Sequence, residues 1–293
     1  MRTGTPIVLP GTAQLSAPGP GVVWALMNGQ SLFRSADGGT TWEQRGLPWA
    51  EPPPLDTIAF VSEAEGWLLS TGSPATQCMA QSIGLWHTTD AGATWQHPAS
   101  AGVEPQQCKN GIAFADPSRG FLSAWDPNGP PVVYRTSDGG RSWIPSVPLP
   151  DPPGFTTRGA GTSLRAGRVQ SFGPTLLVRV RALGGQTNNV YRSTDAGATW
   201  TPAATLPSGE GALGLVAATR WIVLGPPGGS LETTDAGATW HPFATDYAQA
   251  APIPPDVVFA DDRVGYATVR GAIQRTVDGG AHWSRIASPG AAP

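Results

Sequence analysis

The chain has 293 residues, a formal net charge of −3, 40% apolar residues and 12 Trp. That balance gives no global attraction to nucleic acid or anionic lipid, and it leaves ample material for a buried core. No apolar run approaches the roughly 20 residues that a membrane-spanning helix needs, so no direct membrane insertion is expected.

Arg outnumbers Lys 17 to 1, with Lys109 the single lysine. The opening residues, Met1 to Pro6, contain no apolar signal core. The expectation is a cytosolic protein or one whose targeting segment is absent here. The 38 Gly and 31 Pro punctuate short apolar runs, which marks turns between strands rather than disorder.

In chain order, short strands are expected at 22–26 and 32–34, with Asn28-Gly29 as a two-residue hairpin turn between them. They recur at 58–61, 66–69 and 85–87, then at 112–115, 120–122 and 133–135. Further along come 176–178 with 190–192, and 221–224 with 230–232. The last set is 257–260, 265–268 and 273–275, with Gly271-Ala272 as its tight turn. Each set ends in one phrase, Ser/Thr-x-Asp-x-Gly-x-Thr/Ser-Trp, and only His282 in the sixth copy breaks it. Its aspartates, Asp37, Asp90, Asp138, Asp195, Asp235 and Asp278, lie 53, 48, 57, 40 and 43 residues apart. Such spacing matches a four-stranded propeller blade of roughly 40–50 residues.

The expected fold is therefore all-β: one domain over 1–293, a six-bladed β-propeller of antiparallel four-stranded blades. The blades fall at roughly 10–48, 55–99, 110–148, 162–206, 211–245 and 256–288. A degenerate seventh blade is the alternative, and residues 5–9 are a candidate outer strand closing the last blade. With the four strands of a blade called a to d from hub to rim, the carboxylate in each c–d hairpin accepts N–H bonds from its own turn and the glycine tolerates a left-handed backbone. The phrase ends in Trp42, Trp95, Trp143, Trp200, Trp240 and Trp283, which start the fourth strands and bury their rings between blades. The aspartates have metal binding or catalysis as a second reading. Their equivalence by repeat favours a folding staple instead, because a site normally breaks symmetry.

This phrase resembles the Asp box of the BNR/Asp-box superfamily, which includes sialidases, sortilin-type receptors and xyloglucanases. The resemblance is closest to the photosystem II assembly/stability factor-like (WD40/YVTN/BNR-like) proteins. The segments that carry it are Gly66-Trp67 through Thr88 to Trp95, and Gly265-Tyr266 through Asp278-Gly279-Gly280. It covers nearly the whole chain. It implies a propeller, usually of seven blades, and a non-catalytic binding or assembly role; the boxes here number six.

Alternating hairpins place the a–b and c–d turns on one face and the longer b–c and d–a loops on the other. Ligand sites are expected on the long-loop face, at 73–84, 100–110, 126–131, 149–161, 184–189 and 246–256. Cys78 and Cys108 fall in neighbouring loops of that face; they are two buried thiols or a disulfide, and the shared face favours the bridge. A bridge implies an oxidising compartment, and an exported or surface-displayed protein is expected.

Arg158, Arg165, Arg168, Arg179 and Arg181 are concentrated in the fourth blade, as a clamp for an anion or as a solvated edge. Trp125-Asp126 and Trp49 stand in loops, where they stack on a partner or cap a blade. No cofactor and no metal site is expected, since the four histidines form no ligand-spaced pair. The expected partner is a polypeptide or a glycan, with no nucleic acid. The rival reading is a sialidase-like hydrolase. It needs a tyrosine nucleophile and an arginine triad, and only Tyr247 among the four tyrosines lies in a long loop of the candidate face.

Overall fold

The computed structural model describes residues 13–51, 53, 55–73, 78, 80–126, 129–155, 163–182, 188–207, 211–226, 228–247, 255–269 and 272–287. The expected outer strand at 5–9, residue Gly271 and Arg158 lie outside the described residues.

Six antiparallel sheets follow one another along the chain, each built from consecutive strands. The first blade is β1 (Ala13–Gly19), β2 (Val22–Met27), β3 (Ser31–Ser35) and β4 (Glu43–Arg45). The second is β5 (Leu55–Phe60), β6 (Gly66–Thr71) and β7 (Ile83–Thr88). Its fourth strand is reduced to one bridge, in which His87 and Gln96 exchange two backbone hydrogen bonds of 2.8 Å. The third is β8 (Cys108–Phe114), β9 (Gly120–Trp125), β10 (Val132–Thr136) and β11 (Ile144–Pro145). The fourth is β12 (Leu164–Phe172), β13 (Thr175–Ala182), β14 (Asn188–Ser193) and β15 (Thr201–Thr205). The fifth is β16 (Ala212–Leu215), β17 (Trp221–Leu224), β18 (Leu231–Thr233) and β19 (His241–Pro242). The sixth is β20 (Val257–Phe259), β21 (Gly265–Val269), β22 (Ala272–Thr276) and β23 (Ser284–Ile286).

The blade count follows from the packing. Six hydrophobic clusters each join two neighbouring blades. Trp24 and Leu26 meet Ile58 and Leu68 between the first and second. Trp67 and Leu85 meet Leu122 and Tyr134 between the second and third, and Phe121 and Val133 meet Val178 and Tyr191 between the third and fourth. Leu177 and Val190 meet Trp221, and Ile222 and Leu224 meet Ala267 and Trp283. The ring closes where Leu15 and Val23 meet Tyr266 and Ile273. Burial of large side chains at every seam supplies the driving force that a single blade lacks. The structure is thus a six-bladed β-propeller, and a seventh blade has no seam to occupy among the described residues.

Three local expectations change. Ala272 does not stand in the tight turn of the sixth blade: it opens β22 and pairs with Val269. The first-blade hairpin has three connecting residues, not two: Asn28 (φ 51°) and Gly29 (φ 65°) make the left-handed bend, and Gln30 N donates to Met27 O before Ser31 pairs. The box tryptophans precede the fourth strands rather than start them, because β4, β11, β15, β19 and β23 all begin one residue later. The recurrent Gly-aromatic pair has a steric cause. A Cβ at Gly66, Gly120 or Gly265 would lie 2.2, 2.5 or 2.6 Å from the ring of Phe60, Phe114 or Phe259 on the adjoining inner strand. After Gly66 the next residue, Trp67, stacks across the seam on Phe114, and Trp24, which follows Val23 in the equivalent slot of the first blade, stacks on Phe60, with centroids 3.7 Å apart in both pairs.

Candidate functional site on the long-loop face

Cys78 and Cys108 are joined by a disulfide, with Cα atoms 5.1 Å apart, tying the b–c loop of the second blade to the start of β8. The adjacent Lys109 is buried, and its ammonium donates to three backbone carbonyls: Gln81 at 2.9 Å, Glu104 at 2.6 Å and Gln107 at 2.6 Å. Burial pushes its pKa down to about 8. A compact ammonium with three donors suits such a nest, whereas a planar guanidinium does not. Gln81 completes the clamp: its amide donates to Thr71 and Gly72, and its oxygen accepts from Lys109 N at 2.7 Å. Tyr134 OH donates to Gln107 Oε1 at 2.7 Å and accepts from Glu104 N at 3.2 Å. The loop at 100–110 is therefore rigidly held. Lys109 and Gln81 carry no motif, and the only sequence signal was the solitary lysine itself.

Behind this clamp, two β-bulges aim side chains at the ring axis. β8 has an extra residue at Asn110, between Lys109 and Gly111. β12 shifts register between Ala166 and Val169, the step that contains Arg168. A bulge re-aims its side chain out of the ladder. Arg168 therefore crosses from the fourth blade to the first and sixth: Nη1 donates to Leu15 O and Nη2 to Asp256 Oδ1, both at 2.9 Å. Asp256 Oδ2 accepts in turn from Leu15 N at 2.7 Å. This strut divides the axial channel. A cavity of about 280 Å³, lined by Thr57, Thr71, Lys109, Asn110 and Asp256, opens toward the long-loop face. A second, of about 370 Å³, opens toward the Asp boxes.

The arginine-rich blade separates into distinct roles. Arg165 and Arg181 are directly opposite on β12 and β13, and Arg179 shares the face of Arg181. Arg165 lies over the Trp125 ring, 3.9 Å from its centroid. Arg179 Nε donates to Asn188 Oδ1 at 3.1 Å. Burial, and then the Arg181 charge, push Arg179 down to about 10 and lower Arg165 as well. Among the described residues none of these three forms an ion pair. They make a concentrated cationic strip beside an indole at the junction of the third and fourth blades. Arg168 is apart from it, being spent on the axial strut. Trp49 is apart too: its Nε1 donates to Gly29 O at 2.9 Å and its ring packs on the seam between the first and second blades, where it caps a blade. Asp126 follows Trp125, and its carbonyl accepts from Gly129 N at 3.3 Å.

The six box carboxylates disperse around the opposite face. In each box the first hydroxyl donates to Asp Oδ1 at 2.7–2.8 Å, as Ser35, Thr88, Thr136, Ser193, Thr233 and Thr276 do. The residue before the tryptophan supplies an N–H to Oδ1 and, in five boxes, a hydroxyl to Oδ2. In the sixth, His282 Nδ1 takes the hydroxyl's place, 2.6 Å from Asp278 Oδ2. Among the described residues no three His, Cys, Asp or Glu cluster in a metal-holding arrangement.

No protein-family model matches the chain. Over 123 residues it is 29% identical to the Oryza sativa subsp. japonica protein named photosystem II stability/assembly factor HCF136, chloroplastic. That match spans 40% of this chain and 26% of the relative. The solved structure of YCF48 from Cyanidioschyzon merolae aligns with a TM-score of 0.56 at 18% identity, covering 98% of this chain and 89% of that one. A Niastella koreensis GH74 enzyme aligns with a TM-score of 0.55 at 15% identity, covering 94% of this chain and 47% of that one. The chain is similar to photosystem II factor-like β-propellers. At these identities the solved structures speak to the fold alone, which serves many chemistries.

Proposed function

We propose that this propeller is a non-catalytic binding or assembly module that holds an acidic polypeptide segment on its long-loop face. The observation that carries the reading is the strip of Arg165, Arg179 and Arg181 beside Trp125, which forms no ion pair among the described residues. It is mounted on β-strands, next to a loop immobilised by a disulfide and a buried lysine. Cations without internal carboxylate partners are free to form charge-assisted bonds with an incoming chain, and a pre-ordered surface lowers the entropic cost of holding it. The partial match to a protein named as a stability/assembly factor supports the same role. The disulfide supports an extracytoplasmic setting, because such bonds persist in oxidising compartments.

The tyrosine chemistry of a sialidase-like hydrolase finds no support at this face. Tyr134, Tyr191, Tyr247 and Tyr266 donate their hydroxyls to Gln107 Oε1 and to the carbonyls of Pro150, Thr268 and Pro20, respectively. Burial raises the Tyr247 hydroxyl far from ready ionisation. Parallel screens of a peptide display library and a glycan array test the proposal. Acidic peptides should be selected, and Arg179→Glu with Arg181→Glu should abolish their capture without lowering Tm. Selection of glycans alone, or capture insensitive to the double substitution, contradicts it.

A further inference from the structure

We infer that the opposite face carries a second site, a cleft between the third and fourth blades that takes a small carboxylate with an aromatic or branched aliphatic body. Three observations converge on it. The first is a broken repeat. The residue three before each box aspartate usually has an internal partner on this face. Arg34 pairs with Glu43 and with Glu63 from the next blade. His87 meets Glu65, and Glu232 meets Arg220. Arg275 reaches Pro20 O. In the fourth blade Arg192 is exposed to water. Arg135 in the third blade is half-buried, its Nε is enclosed, and its side chain has no hydrogen-bond or ion-pair partner among the described residues.

The second is the cause of that vacancy. Where the second blade extends a five-residue a–b connection bearing Glu63, the fourth blade turns in two residues, Gly173-Pro174, with no charge. The sixth and first blades meet at a similarly short turn, Pro20-Gly21. There the Tyr266 hydroxyl closes the gap by donating to Pro20 O at 3.0 Å. The residue matching Tyr266 in the third blade is Phe121, opposite Arg135 as Tyr266 is opposite Arg275, and it lacks the hydroxyl.

The third is the cavity itself, about 290 Å³, with Arg135 and the Thr194 and Ser142 side chains on its polar side and Phe121, Pro174 and Leu176 on its apolar side. That volume lies just below the roughly 300–1,000 Å³ of drug-sized ligand sites, which suits a small ligand. Arg119 at its wall is already engaged, its Nε donating to Asp116 Oδ2 at 2.5 Å. A permanently charged guanidinium with no partner among the described residues, facing an apolar side, selects a carboxylate over a neutral group and an apolar body over a hydrated ion. A free small acid and the carboxyl-terminal residue of a peptide both offer this chemistry.

The test is calorimetric titration with 4-phenylbutyrate, 4-phenylbutanamide, the peptide acetyl-Gly-Phe with a free carboxylate, and inorganic phosphate. At least one of the two carboxylates should bind with a Kd of about 1 mM or tighter, and the better of the two identifies the source. The amide and inorganic phosphate should bind roughly tenfold more weakly or not at all. Arg135→Gln should lose binding by a similar factor. Thr194→Glu, at an exposed position that sets an acid beside Arg135, should do the same in a fully folded protein. Arg179→Glu with Arg181→Glu should leave it unchanged, which separates this site from the long-loop face. Equal binding of acid and amide, equal binding of phosphate, no saturation with either carboxylate, or full binding by Thr194→Glu would overturn the inference.

Discussion

Each box is a closed set of bonds around one carboxylate, and its chemistry is legible in single residues. Hydroxyl donors, and next the backbone N–H, hold Asp37, Asp90, Asp195 and Asp235 near pKa 2 against an ordinary 3.8. At Asp138 and Asp278 burial pushes upward but is outweighed by the bonds from Ser142 and His282. A carboxyl whose folded pKa is depressed adds stability that is complete above its unfolded pKa and disappears as pH falls through the folded one. Acid unfolding followed by Trp fluorescence should therefore be confined to the window below about pH 4 and steepen toward pH 2. Loss of structure beginning at pH 5 to 6 would mean that other groups govern it. The bend also needs two left-handed residues in succession. The first is Ala in three boxes, at φ 58°, 56° and 59° for Ala91, Ala196 and Ala236. Left-handed Ala costs about 1–2 kcal/mol, partly offset by the greater chain entropy that Gly loses. Ala236→Gly should raise stability by about 0.5–1 kcal/mol in urea titrations, and a loss would contradict the strain assignment.

At the scale of the element, the phrase and its spacing disclosed blade number, strand order and the two faces. The six copies are long, strict and placed one per blade. The arrangement of the candidate face was legible only in part. Arg165, Arg179 and Arg181 of the fourth blade lie together, and Arg165 lies over the Trp125 ring of the third. Arg168 does not join them, because a one-residue bulge rotates it to the axis, and bulges leave no signature in composition or periodicity. Lys109 and Gln81 carried no motif for a related reason: their bonds go mostly to backbone groups, which every residue possesses. The disulfide stabilises at the element scale by constraining the unfolded chain. It closes a 30-residue separation, and a loop of that length corresponds to about 3–4 kcal/mol. Cys78→Ala with Cys108→Ala should lose an amount of that order in urea unfolding. Unchanged stability would show that Lys109 and Gln81 hold the loop unaided.

For the whole molecule, the ring separates two tasks. Stacked aromatics and six seam clusters close the circle, the Arg168–Asp256 strut braces its centre, and the boxes fasten the periphery. Net charge is only −3, so the cationic strip acts locally against a mildly acidic background rather than as part of a basic surface. Repetition builds the scaffold, and the proposed recognition falls where repetition fails: at Arg165, Arg179 and Arg181 in the fourth blade, and at Arg135, which has no partner among the described residues. The most direct measurement is a calorimetric titration of a selected acidic peptide into the wild type, Asp195→Ala, and Arg179→Glu with Arg181→Glu, with Tm recorded for each. The predicted result is a lowered Tm with unchanged affinity for Asp195→Ala, and lost affinity at unchanged Tm for the arginine pair. Affinity that vanishes in Asp195→Ala while Tm stays constant would contradict it.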